Sequence, residues 1–255
     1  MTTPAERWAR RIEGSPAPAD ANWDTVSRSR WDSAAEAWSA RLGRDWTSGW
    51  RAGVLPFIHA LLPQGQTARV SPLSILDAGC GAGHLVESLA QAGYQAAGVD
   101  ISPAMIQAAQ TRLAEAGLNA DLRVGHLAAT GFPDQSFDLV ACITAIEWVA
   151  DPAAALTEFA RVLKPGGVLV VGILSALSPL RGQAYRRFLD HQVAQNTLLP
   201  WELTALLTDL GWTVEAEAPS GWLEEYASSQ AIAETQARLG QCICGIWLVG
   251  ARRGE

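Results

Sequence analysis

The stretch that decides the fold is Ser74-Ile75-Leu76-Asp77-Ala78-Gly79-Cys80-Gly81-Ala82-Gly83-His84. Its short apolar run predicts a buried β-strand, and the residues that follow have the spacing of an amphipathic helix. The glycines between them let the backbone of the turn approach a ligand closely, and the first N–H groups of the helix face the same crevice. Strand–turn–helix units of this kind bind nucleotides in doubly wound proteins.

The same rhythm continues toward the C-terminus. Further strands are predicted at 95–100, 121–124, 137–143 and 168–173, with helices at 83–92, 103–116 and 152–163 between them. A last helix at 201–210 and two strands at 213–217 and 245–251 complete the pattern. Strands that alternate with helices form right-handed βαβ units. We therefore expect an α/β fold: a Rossmann-like, doubly wound, mostly parallel seven-stranded sheet with helices on both faces and an antiparallel C-terminal strand.

The N-terminal region has a different composition. Six of the eleven tryptophans lie in the first fifty residues. Tryptophan is costly to expose and its N–H needs a partner, so this segment is expected to pack on another surface. We predict a helical, Trp-rich cap at 1–65 and a main domain at 66–255, with an inserted segment at about 175–200 that contains a helix at 183–194.

Composition excludes several classes of protein. The chain has 255 residues, 49% of them hydrophobic, and 19 Lys+Arg against 26 Asp+Glu give a net charge of −7. An acidic chain without a basic run is poorly suited to nucleic acid. No segment has the length of a membrane span or the pattern of an export signal. The four cysteines lack metal-site spacing, so we expect no metal and a cytoplasmic protein with reduced thiols. The oligomeric state stays open.

A dinucleotide site is the first interpretation to weigh. Asp100 ends the second predicted strand about twenty residues after the glycine turn, where a carboxylate accepts hydrogen bonds from ribose hydroxyls. The Gly-x-Gly-x-x-Gly fingerprint, however, requires a third glycine where this chain has His84, and its third glycine, Gly83, comes one position early. This mismatch weakens the nicotinamide interpretation.

At this point the sequence resembles a known family. Residues 75–83 resemble motif I of the class I S-adenosylmethionine-dependent methyltransferases, in particular the small-molecule enzymes of methyltransferase type 11. Residues 98–105 resemble the family's acidic loop, 132–140 its entry to the fourth strand, and 161–167 its turn into the fifth. The last two motifs have no counterpart in the dinucleotide fingerprint and decide against a dehydrogenase. The resemblance implies S-adenosylmethionine as cofactor and S-adenosylhomocysteine as product.

The resemblance also implies site residues. The turn after the first strand would hold the methionine moiety, Asp100 the ribose, Ile101 and Met105 the adenine, and Ile143 would lie near the sulfonium. The implied cofactor residues are Asp77, Ala78, Gly79, Gly81, Gly83, Asp100, Ile101, Met105, His126, Leu127 and Ile143.

One position departs from the family pattern. Many members have an aspartate where this chain has His126, and that carboxylate accepts a hydrogen bond from the adenine amino group. A neutral imidazole can accept at one ring nitrogen, so the interaction is expected to survive in altered form. We expect cofactor binding to weaken as the ring becomes protonated.

Contacts with the acceptor are less well defined. Trp38 is the preferred lid residue, since Trp31-Asp32-x-x-Ala35-x-x-Trp38 resembles the aromatic pattern of the family's covering helix; a structural brace on the sheet is the alternative. Glu147 and Trp148 follow the fourth strand and face either the acceptor or the interior. Arg187 and His191 share a helix face near Arg181 and Arg186, which indicates either an anion-binding segment or an ordinary solvated face. The catalytic residues, including any general base, are left open.

The predicted reaction is in-line displacement on the methyl carbon by an O, N, S or C nucleophile of a small-molecule acceptor. The positive charge already activates the leaving group, so a general base is needed only for a weakly acidic nucleophile. One alternative is a methyltransferase for a carrier-linked acyl carboxylate, similar to the malonyl-carrier enzymes of the biotin pathway. Another is a non-catalytic, cofactor-binding regulatory protein.

Overall fold

The computed structural model describes residues 23–42, 49–62, 71–178, 181, 194–196, 198–220, 241 and 244–253. In chain order its helices are α1 (Trp23–Leu42), α2 (Val54–Leu61), α3 (His84–Gln91), α4 (Pro103–Glu115), α5 (Pro152–Val162) and α6 (Pro200–Asp209). Short 3-10 turns lie at Gly49–Arg51 and Ile146–Trp148. The strands are β1 (Ser74–Ala78), β2 (Gln95–Asp100), β3 (Asp121–Val124), β4 (Phe137–Ile143), β5 (Leu163–Leu174), β6 (Trp212–Ser220) and β7 (Ile246–Arg253).

The strands form one sheet in the order β3-β2-β1-β4-β5-β7-β6. Strands β1 to β5 pair in parallel, whereas β7 is antiparallel to both β5 and β6. This arrangement confirms the predicted fold class. From β1 the chain adds β2 and β3 on one side and then returns to add β4 on the other side of β1. At this reversal a crevice opens at the carboxyl ends of the strands.

Local sequence explains where the helices on this edge begin. Ser102 precedes α4 and its Oγ accepts a hydrogen bond from Met105 N, and Asp151 precedes α5 and accepts one from Ala154 N. In both helices proline occupies the first position, where its fixed φ suits the helix and its missing N–H costs nothing. The amino ends of these helices are thereby fixed against the sheet.

Apolar side chains cover both faces of the sheet. One face packs under α5 and α6, with Phe159 at its centre, and the other under α2, α3 and α4, with Ile58 fully buried. The fit of α2 is close: a Cβ on Gly250 of β7 would lie 2.4 Å from Leu61 Cδ1. Helix α2 therefore belongs to the packing of the sheet. The predicted division at residue 65 stays a prediction.

Several element boundaries differ from those predicted. Strand β5 begins at Leu163, not at residue 168, because Leu163 pairs with Phe137 ahead of a register shift in β4. The segment 164–167, predicted as a turn, thus lies inside the strand. The helix predicted at 183–194 lies outside the described residues except for Ala194, which is not helical.

The described residues contain neither a candidate membrane span nor a candidate metal site. None of the helices there combines the length and hydropathy that a membrane span requires. Within the same part of the chain, no group of three or more His, Cys, Asp or Glu side chains could hold a metal ion.

Candidate functional site

A cavity lies at the carboxyl ends of β1, β2 and β4, and α1 contributes residues to its wall. Sequence-predicted residues that line it are Trp38, Asp77, Gly79, Gly81, Asp100, Ile101, Met105, His126, Leu127, Ile143 and Trp148. Ala78, Gly83 and Glu147 do not line it, and Arg187 and His191 lie outside the described residues. Residues that the sequence analysis missed include Ser27, Trp31, Arg51, Thr144 and Val149.

The glycine turn is shaped by close contacts. Gly79 has φ +82°, and a Cβ there would lie 2.2 Å from Ala145 Cβ. A Cβ on Gly81 would lie 4.0 Å from Trp38 Nε1, across the cavity. At Gly83 the close contact is instead with Ala109 of α4, at 2.7 Å. Gly79 thus permits close packing of the turn against Ala145, Gly83 permits helix packing, and a side chain at Gly81 would extend into the cavity toward Trp38.

Asp100 is held by backbone donors on both oxygens. Gly81 N donates to Oδ2 and Ser102 N donates to Oδ1, each over 2.9 Å. Burial raises the pKa of this carboxyl, and the backbone hydrogen bonds oppose that rise. A carboxylate oxygen accepts more than one hydrogen bond. The remaining acceptor positions suit the two adjacent hydroxyls of a ribose.

Asp77 and Arg51 line the same cavity. Burial raises the pKa of Asp77 to about 8; the nearby charge of Asp100 adds to the rise and that of Arg51 opposes it. Burial lowers the pKa of Arg51 to about 9, and its Nη2 donates to Thr144 Oγ1 over 3.2 Å. The only hint in the sequence is that Arg51 is a basic residue just ahead of the apolar helix α2. Together the two groups suit a ligand with its own ammonium and carboxylate.

The raised pKa of Asp77 predicts a pH dependence of stability. The folded protein holds this proton up to about pH 8, whereas the unfolded chain releases it near 3.8. Stability is thus fully present below pH 3.8 and falls as pH rises toward 8. We expect wild type to lose about 2 kcal/mol more than Asp77→Asn between pH 6 and pH 8, measured by urea unfolding.

The control for this measurement is Asp121→Asn, which changes a carboxylate on the exposed edge strand β3. It should keep the pH dependence of wild type. An equal loss of stability in wild type and Asp77→Asn would contradict the assignment.

His126 differs from the sequence expectation. Its Nδ1 accepts a hydrogen bond from Ala128 N over 3.0 Å, and its Nε2 lies 3.2 Å from Asp24 Oδ1 on α1. In the neutral ring, Nδ1 is then the acceptor and Nε2–H the donor. The predicted acceptor nitrogen is therefore already used by the backbone. His126 instead joins the wall of the cavity to α1.

Three indoles form an aromatic wall, consisting of Trp31, Trp38 and Trp148. Trp31 meets Trp38 and Trp148 edge to face, with centroids 5.4 and 5.0 Å apart. Trp148 Nε1 donates to Thr144 O, and its own carbonyl accepts from Trp23 Nε1 over 2.8 Å. Because these polar groups of Trp148 have partners in the protein, this indole offers the cavity mainly ring surface.

The structure places two polar side chains of the acceptor candidates' neighbourhood, Glu147 and Arg181, inside the protein. Glu147 is fully buried, and its Oε1 accepts from Leu174 N over 2.5 Å, because the 3-10 turn directs its side chain into the protein. Arg181 donates to the carbonyl oxygens of Leu174, Ser175 and Leu198, so its guanidinium supports the end of β5. Neither side chain lines the cavity, and Arg186 lies outside the described residues.

The sequence is similar to a methyltransferase family model and to named methyltransferases. A family model described as a methyltransferase domain matches residues 76–171. The ubiquinone biosynthesis O-methyltransferase of Xanthomonas axonopodis pv. citri is 33% identical over 182 residues, which is 66% of this chain and 75% of the relative. In further relatives of that name the match spans 56% to 66% of their length.

Solved structures share the fold at lower identity. Magnesium protoporphyrin IX methyltransferase from Synechocystis PCC 6803, with S-adenosylhomocysteine bound, has a TM-score of 0.64 at 18% identity. The alignment covers 91% of this chain and 100% of that one. The [4+2]-cyclase SpnF has a TM-score of 0.58 at 21% identity, and the alignment covers 82% of this chain and 85% of the cyclase. A [4+2]-cyclase and a methyltransferase thus share one fold.

Proposed function

Since the chain belongs to the class I S-adenosylmethionine-dependent methyltransferases, we propose that it methylates a hydroxyl group on a small planar acceptor. The aromatic wall, which lines the cofactor cavity, carries this proposal. Flat rings pack well edge to face or offset against indoles. The relatives named O-methyltransferases support oxygen as the nucleophile. Family membership favours catalysis over the alternative of a regulatory protein.

The residues of the cavity fit the cofactor. We propose that Asp100 binds the ribose hydroxyls and that Arg51 and Asp77 bind the carboxylate and ammonium of the methionine moiety. Ile101, Met105 and Leu127 supply apolar surface for the adenine. A side chain at Gly81 would project toward Trp38 and fill this space. The donors, acceptors and free volume thus match a zwitterionic nucleoside.

The bound cofactor supplies an activated methyl group on a positively charged sulfonium. The protein's own contribution is to align the acceptor and exclude water, and orientation alone is worth roughly 7–11 kcal/mol in well-aligned cases. The Trp31 and Trp148 rings serve both purposes. His126 is a poor general base, since backbone and Asp24 contacts engage both ring nitrogens. An acceptor with an acidic, ring-bound hydroxyl needs no strong base.

Transfer of a labelled methyl group tests the proposal. The protein is incubated with methyl-labelled S-adenosylmethionine and four classes of acceptor: hydroxylated aromatic rings, the matching aromatic amines, aliphatic alcohols of similar size, and a malonyl thioester. We expect label on the hydroxylated rings and an equal amount of S-adenosylhomocysteine. Transfer to the malonyl carboxylate or to an amine, with none to ring hydroxyls, would contradict it.

Trp148→Leu should separate the acceptor from the cofactor. We expect the acceptor KM to rise about tenfold, since stacking area is lost, while S-adenosylhomocysteine affinity stays within about threefold. Steady-state kinetics and calorimetry measure the two effects. Trp201→Leu, which removes an exposed indole on α6, is the control and should change neither. An unchanged acceptor KM in Trp148→Leu would show that the aromatic wall does not bind the acceptor.

A further inference from the structure

A contact between α1 and the amino end of α4 has no part in the chemistry above. Asp32 Oδ1 accepts hydrogen bonds from Ser102 Oγ over 2.5 Å and from Ala104 N over 3.3 Å. Asp32 is half-buried and Ser102 fully buried. A carboxylate at a helix amino terminus is stabilised by the helix dipole and by the N–H groups there. This contact joins the cavity-covering helix to the first turn of α4.

Ser102 hydrogen-bonds to both Asp32 and Asp100. Its hydroxyl proton is donated to Asp32, which leaves Oγ to accept from Met105 N over 3.1 Å. Its backbone N–H donates to Asp100 Oδ1 over 2.9 Å. Asp32, Ser102 and Asp100 thus form one hydrogen-bonded row, which begins on α1 and ends at the carboxylate that faces the ribose position.

The same contact brings apolar surfaces together. Trp31 and Trp38 of α1 pack on a small buried cluster that contains Ala35 and Met105. Asp32 lies next to Trp31, so fixing its carboxylate on α4 also fixes the rings over the cavity. Closing the cavity and ordering its ribose end depend on the same few residues.

We propose that Asp32 is a positioning residue that couples closure of α1 over the cavity to the orientation of the ribose-binding carboxylate. The inference rests on the cofactor site of the proposed function and not on its acceptor. Release of the cofactor then requires the Asp32–Ser102 hydrogen bond to break. Loss of this bond speeds cofactor dissociation and leaves association nearly unchanged.

Stopped-flow tryptophan fluorescence tests the proposal with S-adenosylhomocysteine as the probe. The proteins compared are wild type, Asp32→Asn, Ser102→Ala and Glu36→Gln. Glu36 is an exposed acid on the same helix, so its variant matches the loss of charge. We expect dissociation to be about tenfold faster in Asp32→Asn and Ser102→Ala, with association within threefold and Glu36→Gln like wild type. The double variant should dissociate little faster than the faster of the two single variants, because both substitutions weaken the shared Asp32–Ser102 hydrogen bond.

A dissociation rate in Asp32→Asn equal to that of Glu36→Gln would overturn the proposal. A lower melting temperature without a faster rate would overturn it as well, since that is the result of a purely structural role. If Asp32→Asn fails to fold, Ser102→Ala decides by the same rate. Failure of methyl transfer with normal S-adenosylhomocysteine kinetics would contradict the proposed acceptor and leave this inference standing.

Discussion

Arg51→Met is expected to weaken the binding of S-adenosylhomocysteine about 100-fold. Arg51 is almost completely buried and lines the cavity opposite Asp77, where it would pair with the cofactor's carboxylate. Removing one partner of a buried, hydrogen-bonded ion pair costs roughly 2–5 kcal/mol. Because Asp77 holds its proton below about pH 8, the variant is not left with an ionised buried carboxylate, and we expect it to fold.

Isothermal calorimetry at pH 7 measures the effect. Arg51→Lys should fall between wild type and Arg51→Met, since it keeps the charge but loses the planar pair of donors. Arg252→Met is the control, because that guanidinium contacts Gly166 O and Glu215 at the opposite end of β5 from the cavity. Unchanged affinity in Arg51→Met would show that the cofactor's carboxylate lies elsewhere.

Asp100→Asn should weaken the binding of S-adenosylhomocysteine by a similar factor, roughly 100-fold. Hydrogen bonds to a charged group are worth about 1.5–3 kcal/mol each, and two ribose hydroxyls depend on this carboxylate. The amide of the variant would also turn an N–H toward Gly81 N or Ser102 N, both of which donate to Asp100 in the structure. The loss therefore combines weaker ribose bonds with a mispaired turn.

A sugar-modified ligand makes this prediction specific. Wild type should discriminate strongly against the 2′-deoxy analogue of S-adenosylhomocysteine, whereas Asp100→Asn should bind both ligands with nearly equal, low affinity. Asp138→Asn is the matched control, since Asp138 also accepts from backbone, Ser74 N, but at the amino end of β1. Strong discrimination against the deoxy analogue in Asp100→Asn would refute the ribose assignment.

The sequence predicts the central sheet well, because its information there is local. The apolar run before Gly79 and the acid at the end of β2 belong to single strand–turn units, so the turn and Asp100 could be placed without tertiary contacts. The antiparallel end of the sheet was also predicted. The start of β5 was not, since it depends on pairing between Leu163 and Phe137 from a different strand.

The parts of the site that were missed depend on contacts between distant segments. Arg51 reaches the cavity only because the fold places the turn before α2 near Asp77, which is distant in sequence. His126 loses its predicted acceptor role because Ala128 and Asp24, the latter from α1, occupy its two nitrogens. Glu147 and Trp148 are neighbours in sequence, yet one points into the protein and the other lines the cavity. No periodic pattern in the sequence separates such a pair.

A crystal structure with S-adenosylhomocysteine bound tests the central claim most directly. We predict the ribose hydroxyls within hydrogen-bonding distance of Asp100 and the ligand's carboxylate at Arg51. Its sulfur should face Thr144 and Trp148, with Trp38 of α1 over the ligand. A ligand bound outside this crevice, or one whose carboxylate and ribose touch neither Arg51 nor Asp100, would contradict the account.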